Sequence, residues 1–69
     1  MDDLAKHFGL LLRGKRKEFG ISQDEIALRT QIDRSYIGRI ERGEVNISLE
    51  KVYRLAKALG CSPKDLLPL

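Results

Sequence analysis

An apolar residue, a helix-capping side chain, three further residues, then a second apolar residue: this phrase occurs four times in the chain. It is Ile21-Ser22 with Ile26, Ile32-Asp33 with Ile37, Ile47-Ser48 with Val52, and Cys61-Ser62 with Leu66. The polar side chain can accept from a backbone amide left free at a helix start. The flanking pair packs across that start as a hydrophobic staple. Glu25, three residues after Ser22, adds the second half of a capping box. Pro63 suits a first helical position, where its missing N–H costs nothing. The four phrases therefore predict four helix starts.

A first helix precedes them, over residues 3–19. Its apolar stripe is Leu4, Phe8, Leu11, Leu12 and Phe19, and Gly20 ends it. The others span residues 23–29, 34–42, 49–59 and 63–67. Gly43 and Gly60 follow the third and fourth, and the fourth carries Leu49, Val52, Leu55, Ala56 and Leu59 on its apolar face. Gly14 lies inside the first helix at a cost of about 1 kcal/mol relative to alanine, and the sequence offers no reason for it. Useful period-two alternation is missing, so no strands are predicted. The fold class is all-α: a compact five-helix bundle, the fifth helix short, forming a single domain over residues 1–69.

Helices two and three are separated by only a few residues, which is the helix-turn-helix arrangement. Ala27 is the small residue where the two would cross, facing Ile37. Ile26, Ile32, Ile37 and Ile40 attach the unit to the remaining helices.

Composition narrows the function. Thirteen Lys and Arg stand against 10 Asp and Glu, with a pI near 9.3. That lean permits a nucleic-acid partner without establishing one. The single cysteine, Cys61, cannot form an internal disulfide and reads as a small apolar filler. It fits a reducing cytoplasm, and no apolar run reaches the length of a membrane span. His7, beside Lys6 and Phe8, is read as an exposed first-turn residue. No metal-ligand spacing, nucleophile constellation or phosphate-binding glycine loop is visible, so neither an enzyme nor a cofactor is expected.

The residues Arg16 to Glu18, Gly20-Ile21-Ser22-Gln23, Ile26-Ala27, Tyr36-Ile37, Ile40-Glu41-Arg42-Gly43, Asn46 and the "AKALG" ending at Gly60 make the chain resemble the phage-repressor and Cro type of helix-turn-helix domain. This is the xenobiotic-response-element family, with a lambda-repressor-like fold. The resemblance covers nearly the whole chain. The phrase "DRSYIGRIERGEVNIS" further resembles controller proteins of restriction–modification systems. One position departs from the family: glycine is usual in the turn where this chain has Gln31. If that backbone is left-handed, glutamine costs about a kcal/mol more than glycine.

The resemblance implies double-stranded DNA as partner, with helix three in the major groove. Arg34, Ser35, Tyr36 and Arg39 would meet base edges. Gln23, Arg42 and Asn46 would touch phosphates. For Arg34 and Arg39 the alternative is an ordinary solvated face, for Gln23 a plain helix-start residue, and for Asn46 a loop-shaping role. Arg16 and Glu41 stand where the family commonly has an interhelical ion pair. The basic run over residues 13–17 is otherwise read as a solvated helix face. Leu66, Leu67 and Leu69 are more apolar than one terminal turn needs, and are expected to join a homodimer interface with Leu49 or Tyr53 nearby. The implied function is a homodimeric transcription regulator on a roughly palindromic operator, with no small-molecule effector. The rivals are a DNA-binding antitoxin and an interaction module that has lost DNA binding.

Overall fold

The computed structural model describes residues 3–68, so Leu69 of the expected interface lies outside the described residues. Four α-helices and one 3-10 turn make up the regular structure among them. These are α1 (Leu4–Glu18), α2 (Gln23–Thr30), α3 (Arg34–Glu41), α4 (Leu49–Leu59) and the turn Pro63–Leu66. The expected fifth α-helix is thus a 3-10 turn. Leu67 precedes Pro68, whose ring disfavours α conformation in its neighbour, and Leu67 is accordingly extended at φ −95°, ψ 135°. With the last residue removed from the helix, the Leu67 amide closes an i→i+3 bond to the Lys64 carbonyl.

The helix starts follow their local chemistry. Ser22 accepts from the Glu25 amide at 3.0 Å, and Ser48 accepts from the Lys51 amide at 3.2 Å. The capping box at Ser22 is only half made, because the Glu25 carboxylate accepts from Arg29 at 2.8 Å instead. Asp33 caps nothing with its side chain; its carboxylate accepts from the Ser35 hydroxyl. Gln31 does hold a left-handed backbone, at φ 59° and ψ 25°. Thr30 beside it is buried, donating to the Ile26 carbonyl and accepting from the Ile32 amide, which fixes the turn from within.

The core joins Phe8 and Leu12 of α1 to Ile21, Ile26, Ile32, Ile37 and Ile40 of the helix-turn-helix and to Val52, Leu55 and Leu59 of α4. α1 packs on α3 and on the 3-10 turn, while α2 packs on α3 and α4. Several residues of the expected stripes lie outside this core. Leu4, Leu11 and Phe19 are exposed on or after α1, and Leu49 is exposed at the start of α4. Phe19 caps the end of α1, with the Lys15 ammonium over its ring. Leu66, by contrast, has no exposed surface. It closes the floor between α1 and α4, so it cannot form part of a dimer interface; its burial corrects that assignment. Burying one such leucine contributes roughly 1.5–3 kcal/mol, a large fraction for so small a domain.

Candidate nucleic-acid interface

α3 is fixed to the core by Ile37 and Ile40, both essentially without exposed surface. With that face buried, the helix turns Arg34, Ser35 and Arg39 to solvent. Tyr36 differs from these three: it is half-buried, packs against the core, and has the Lys51 ammonium 5.4 Å from its ring centroid. The Arg34 guanidinium meets Asp24 of α2 at 3.1 Å, both side chains being well exposed. Such a pair contributes little in water, so Arg34 remains available to another acceptor.

At the exit of α3, Arg42 caps the helix and donates to Glu44 at 2.7 Å; Arg39 lies 3.8 Å from the same carboxylate. The Arg42 hydrogen bond holds the Glu44 carboxyl below its ordinary range, and the same bond raises the Arg42 guanidinium. Glu44 is therefore an anion lodged between two arginines. Asn46 is exposed in the loop that follows and lies at the rim of an apolar groove with Leu4, Leu49 and Leu67.

Arg16 and Glu41 form a two-pronged pair between α1 and α3. Arg16 Nε donates to Glu41 Oε2 at 2.7 Å and Nη2 to Oε1 at 3.0 Å. Their side chains are only 10% and 5% exposed. The remaining prong, Nη1, donates to the Ile21 carbonyl at 3.0 Å, just ahead of the α2 cap. Hydrogen bonding to Glu41 raises the Arg16 pKa against the opposing effect of burial. Gln23 is the third member: its amide donates to Glu41 Oε1 at 3.0 Å. The network thus ties the start of α2, the end of α3 and the last turn of α1 together. Gln23 stands at the surface of this network, half-buried, at the N-terminus of α2 where free backbone amides point outward.

The sequence pattern singled out neither Gly9 nor Asp24 nor Glu44. Gly9 is buried, and a methyl group there would stand 2.5 Å from the Glu41 carbonyl oxygen and 2.6 Å from that of Ile40. It marks a close approach of α1 to α3. Asp24 meets an arginine 10 residues further on, in the next helix, and Glu44 lies in the loop beyond α3, so helical periodicity reports neither. Cys61 is partly buried, and burial, with Asp65 nearby, pushes its thiol up, away from the thiolate. Among the described residues no helix is long and apolar enough to cross a membrane.

Comparison with known proteins supplies the relatives. The helix-turn-helix family HTH_3 matches residues 12–66. The control protein C.BamHI of Bacillus amyloliquefaciens is 43% identical over 61 residues, 87% of this chain and 75% of that protein. The restriction–modification controller C.AhdI of Aeromonas hydrophila superimposes with a TM-score of 0.88 at 41% identity, over 91% of this chain and 96% of its own. The controller C.Esp1396I, solved as a tetramer on its natural 35-base-pair operator, superimposes with a TM-score of 0.83 at 27% identity, over 91% of this chain and 83% of its own. With the two-helix unit, the exposed arginines of α3 and these relatives in agreement, the chain belongs to the HTH_3 helix-turn-helix family of DNA-binding transcription regulators.

Proposed function

We propose that the protein is a homodimeric controller that binds a roughly palindromic operator and regulates the genes of a restriction–modification system. The observation that carries this reading is the division of α3 into two faces. Ile37 and Ile40 are locked in the core, and Arg34, Ser35 and Arg39 are exposed around the remaining surface of the helix. An exposed, rigid and basic helix is what a major groove admits. In this reading Arg34 reads a guanine through its two-pronged guanidinium, Ser35, Tyr36 and Arg39 complete the base contacts, and Gln23, Arg42 and Asn46 meet phosphates. The likeness to C.BamHI and C.AhdI supports the restriction–modification role.

The second subunit is inferred from apolar surface. Leu49 is 74% and Tyr53 63% exposed, one turn apart on α4, and Leu4, Leu67 and Pro68 continue the patch beside Leu49. Leu67 stays in the proposed interface, whereas Leu66 is excluded by its burial. Two copies meeting here would present one α3 helix each, and helix-turn-helix dimers in general take half-sites about one helical turn apart. Sedimentation should give a dimer at tens of micromolar, and Leu49→Asp should give a folded monomer that binds the operator weakly. A wild type that sediments as a monomer would remove the dimer from this account.

Base reading and phosphate contact separate by their response to substitution. A binding sequence is first selected from a random duplex pool at fixed salt. Arg34→Ala should then cost about 1–3 kcal/mol per half-site on that sequence, with little loss on random duplex, and relax preference at one base pair. Gln23→Ala should weaken operator and random duplex by similar factors. Both must keep the wild-type melting curve, a control that matters for Gln23 because it also bonds Glu41. If Arg34→Ala weakens every duplex equally and leaves the consensus unchanged, Arg34 is a phosphate contact. An antitoxin would instead be revealed by a toxin gene beside its own, and a pure interaction module by the lack of any salt-dependent duplex binding.

A further inference from the structure

The cleft between the start of α3 and the first half of α4 belongs to no role described so far. Its walls include Ser35, Tyr36 and Arg39 of α3 and Lys51 and Arg54 of α4, and it is an open groove of about 500 Å³. Three cations converge on it against one carboxylate, Asp33, which is already engaged by the Ser35 hydroxyl. Lys51 is held over the Tyr36 ring, an interaction that orients an ammonium without using any of its three N–H donors. Arg54 meets Glu50 at 3.6 Å, one turn back on the exposed face of α4, and Arg39 meets Glu44 at 3.8 Å. Both are loose, solvent-screened pairs that a stronger anion displaces readily. The cleft therefore presents oriented, lightly committed cations in a concave site that shares its wall with the residues assigned to base reading.

We propose that α4 is part of the DNA interface: Lys51 and Arg54 hold a backbone phosphate in this cleft, beside the bases read from α3. The proposal rests on the DNA-binding reading above and adds a helix that lies outside the helix-turn-helix unit. A phosphodiester fits the chemistry because it is a compact anion with several acceptor oxygens. The cation–π interaction also ties the register of α4 to Tyr36, so that a phosphate gripped by Lys51 helps set how deep α3 sits. The competing account is a solvated charged helix face with no part in binding.

The test measures affinity for the selected operator and for random duplex across a salt series. Lys51→Gln, Arg54→Gln and their double variant are compared with wild type and with Lys17→Gln, an exposed α1 residue that removes the same charge remotely. The double variant should weaken both duplexes by a similar factor, on the order of tenfold or more at low salt. The slope of log affinity against log salt should flatten by about one unit for each phosphate no longer held. The selected consensus should not change, and Lys51→Arg should retain most of the binding. If the double variant, which removes two charges, shows no more than twice the effect of Lys17→Gln on log affinity and on slope, the assignment is overturned while the regulator reading stands. A changed consensus would make these residues base readers and also overturn it. A wild type that binds no duplex at all removes the regulator reading and the α4 phosphate site together.

Discussion

Glu41→Ala should lower the melting temperature by more than about 10 °C. The carboxylate accepts two bonds from Arg16 and one from Gln23, and it is almost without exposed surface. Removing it leaves the Arg16 guanidinium buried with only the Ile21 carbonyl as partner. Breaking one side of a buried ion pair costs about 3–5 kcal/mol, because the other charge loses its compensation without regaining water. A 69-residue domain has a total stability on the order of 5 kcal/mol. Each kcal/mol shifts its midpoint by roughly 4–8 °C. Arg16→Met with Glu41→Leu should recover much of the loss, since that pair leaves no lone buried charge. Thermal melts followed by circular dichroism decide the matter. A Glu41→Ala midpoint equal to wild type would mean that water replaces the carboxylate freely, contrary to the burial described.

The same substitution at two glycines of α1 should act with opposite sign. Gly9→Ala puts a methyl group 2.5–2.8 Å from the carbonyl groups of Ile40 and Glu41, which are backbone and held in the last turn of α3. Such overpacking costs about 1–3 kcal/mol, and α1 must lift from α3 to relieve it. Alanine recovers up to about 1 kcal/mol in helix propensity. A net drop of several degrees in melting temperature is expected. Because the displaced element is the proposed recognition helix, affinity for the selected operator should fall as well. At Gly14 an added methyl meets nothing within 4 Å. Gly14→Ala should therefore raise the midpoint by roughly 4–8 °C, the gain from about 1 kcal/mol, and leave DNA binding unchanged. Melting curves of the two variants side by side check both; a Gly9→Ala protein as stable as Gly14→Ala would show that α1 and α3 separate at little cost.

What the sequence determined by itself were the places where helices begin and end. Capping and stapling act within six residues, so Ser22, Ser48 and the glycines after α3 and α4 reported those boundaries without reference to the rest of the chain; α4 runs over the residues its pattern marked. The left-handed turn at Gln31 was likewise open to inference, from the resemblance rather than from the residue itself. The end of the last turn was legible too, in Leu67 standing before Pro68, a local signal that the span over residues 63–67 did not use. Tertiary structure alone decided which apolar residues reach the core. A helical stripe is wider than the surface it packs against, so Leu4, Leu11 and Leu49 share the period of Phe8, Leu12 and Val52 yet remain at the surface. Leu66 went inward for the converse reason, since the gap it fills is formed by α1 and α4 together. The Arg16 partner of Glu41, 25 residues away, was expected from the resemblance, whereas the Gln23 partner, 18 residues away, and the cleft shared by Tyr36 and Lys51 come from the way the helices cross. Helix crossing depends on shape at a few touching points such as Gly9, where the informative feature is a missing side chain, and a missing side chain has no periodicity to read.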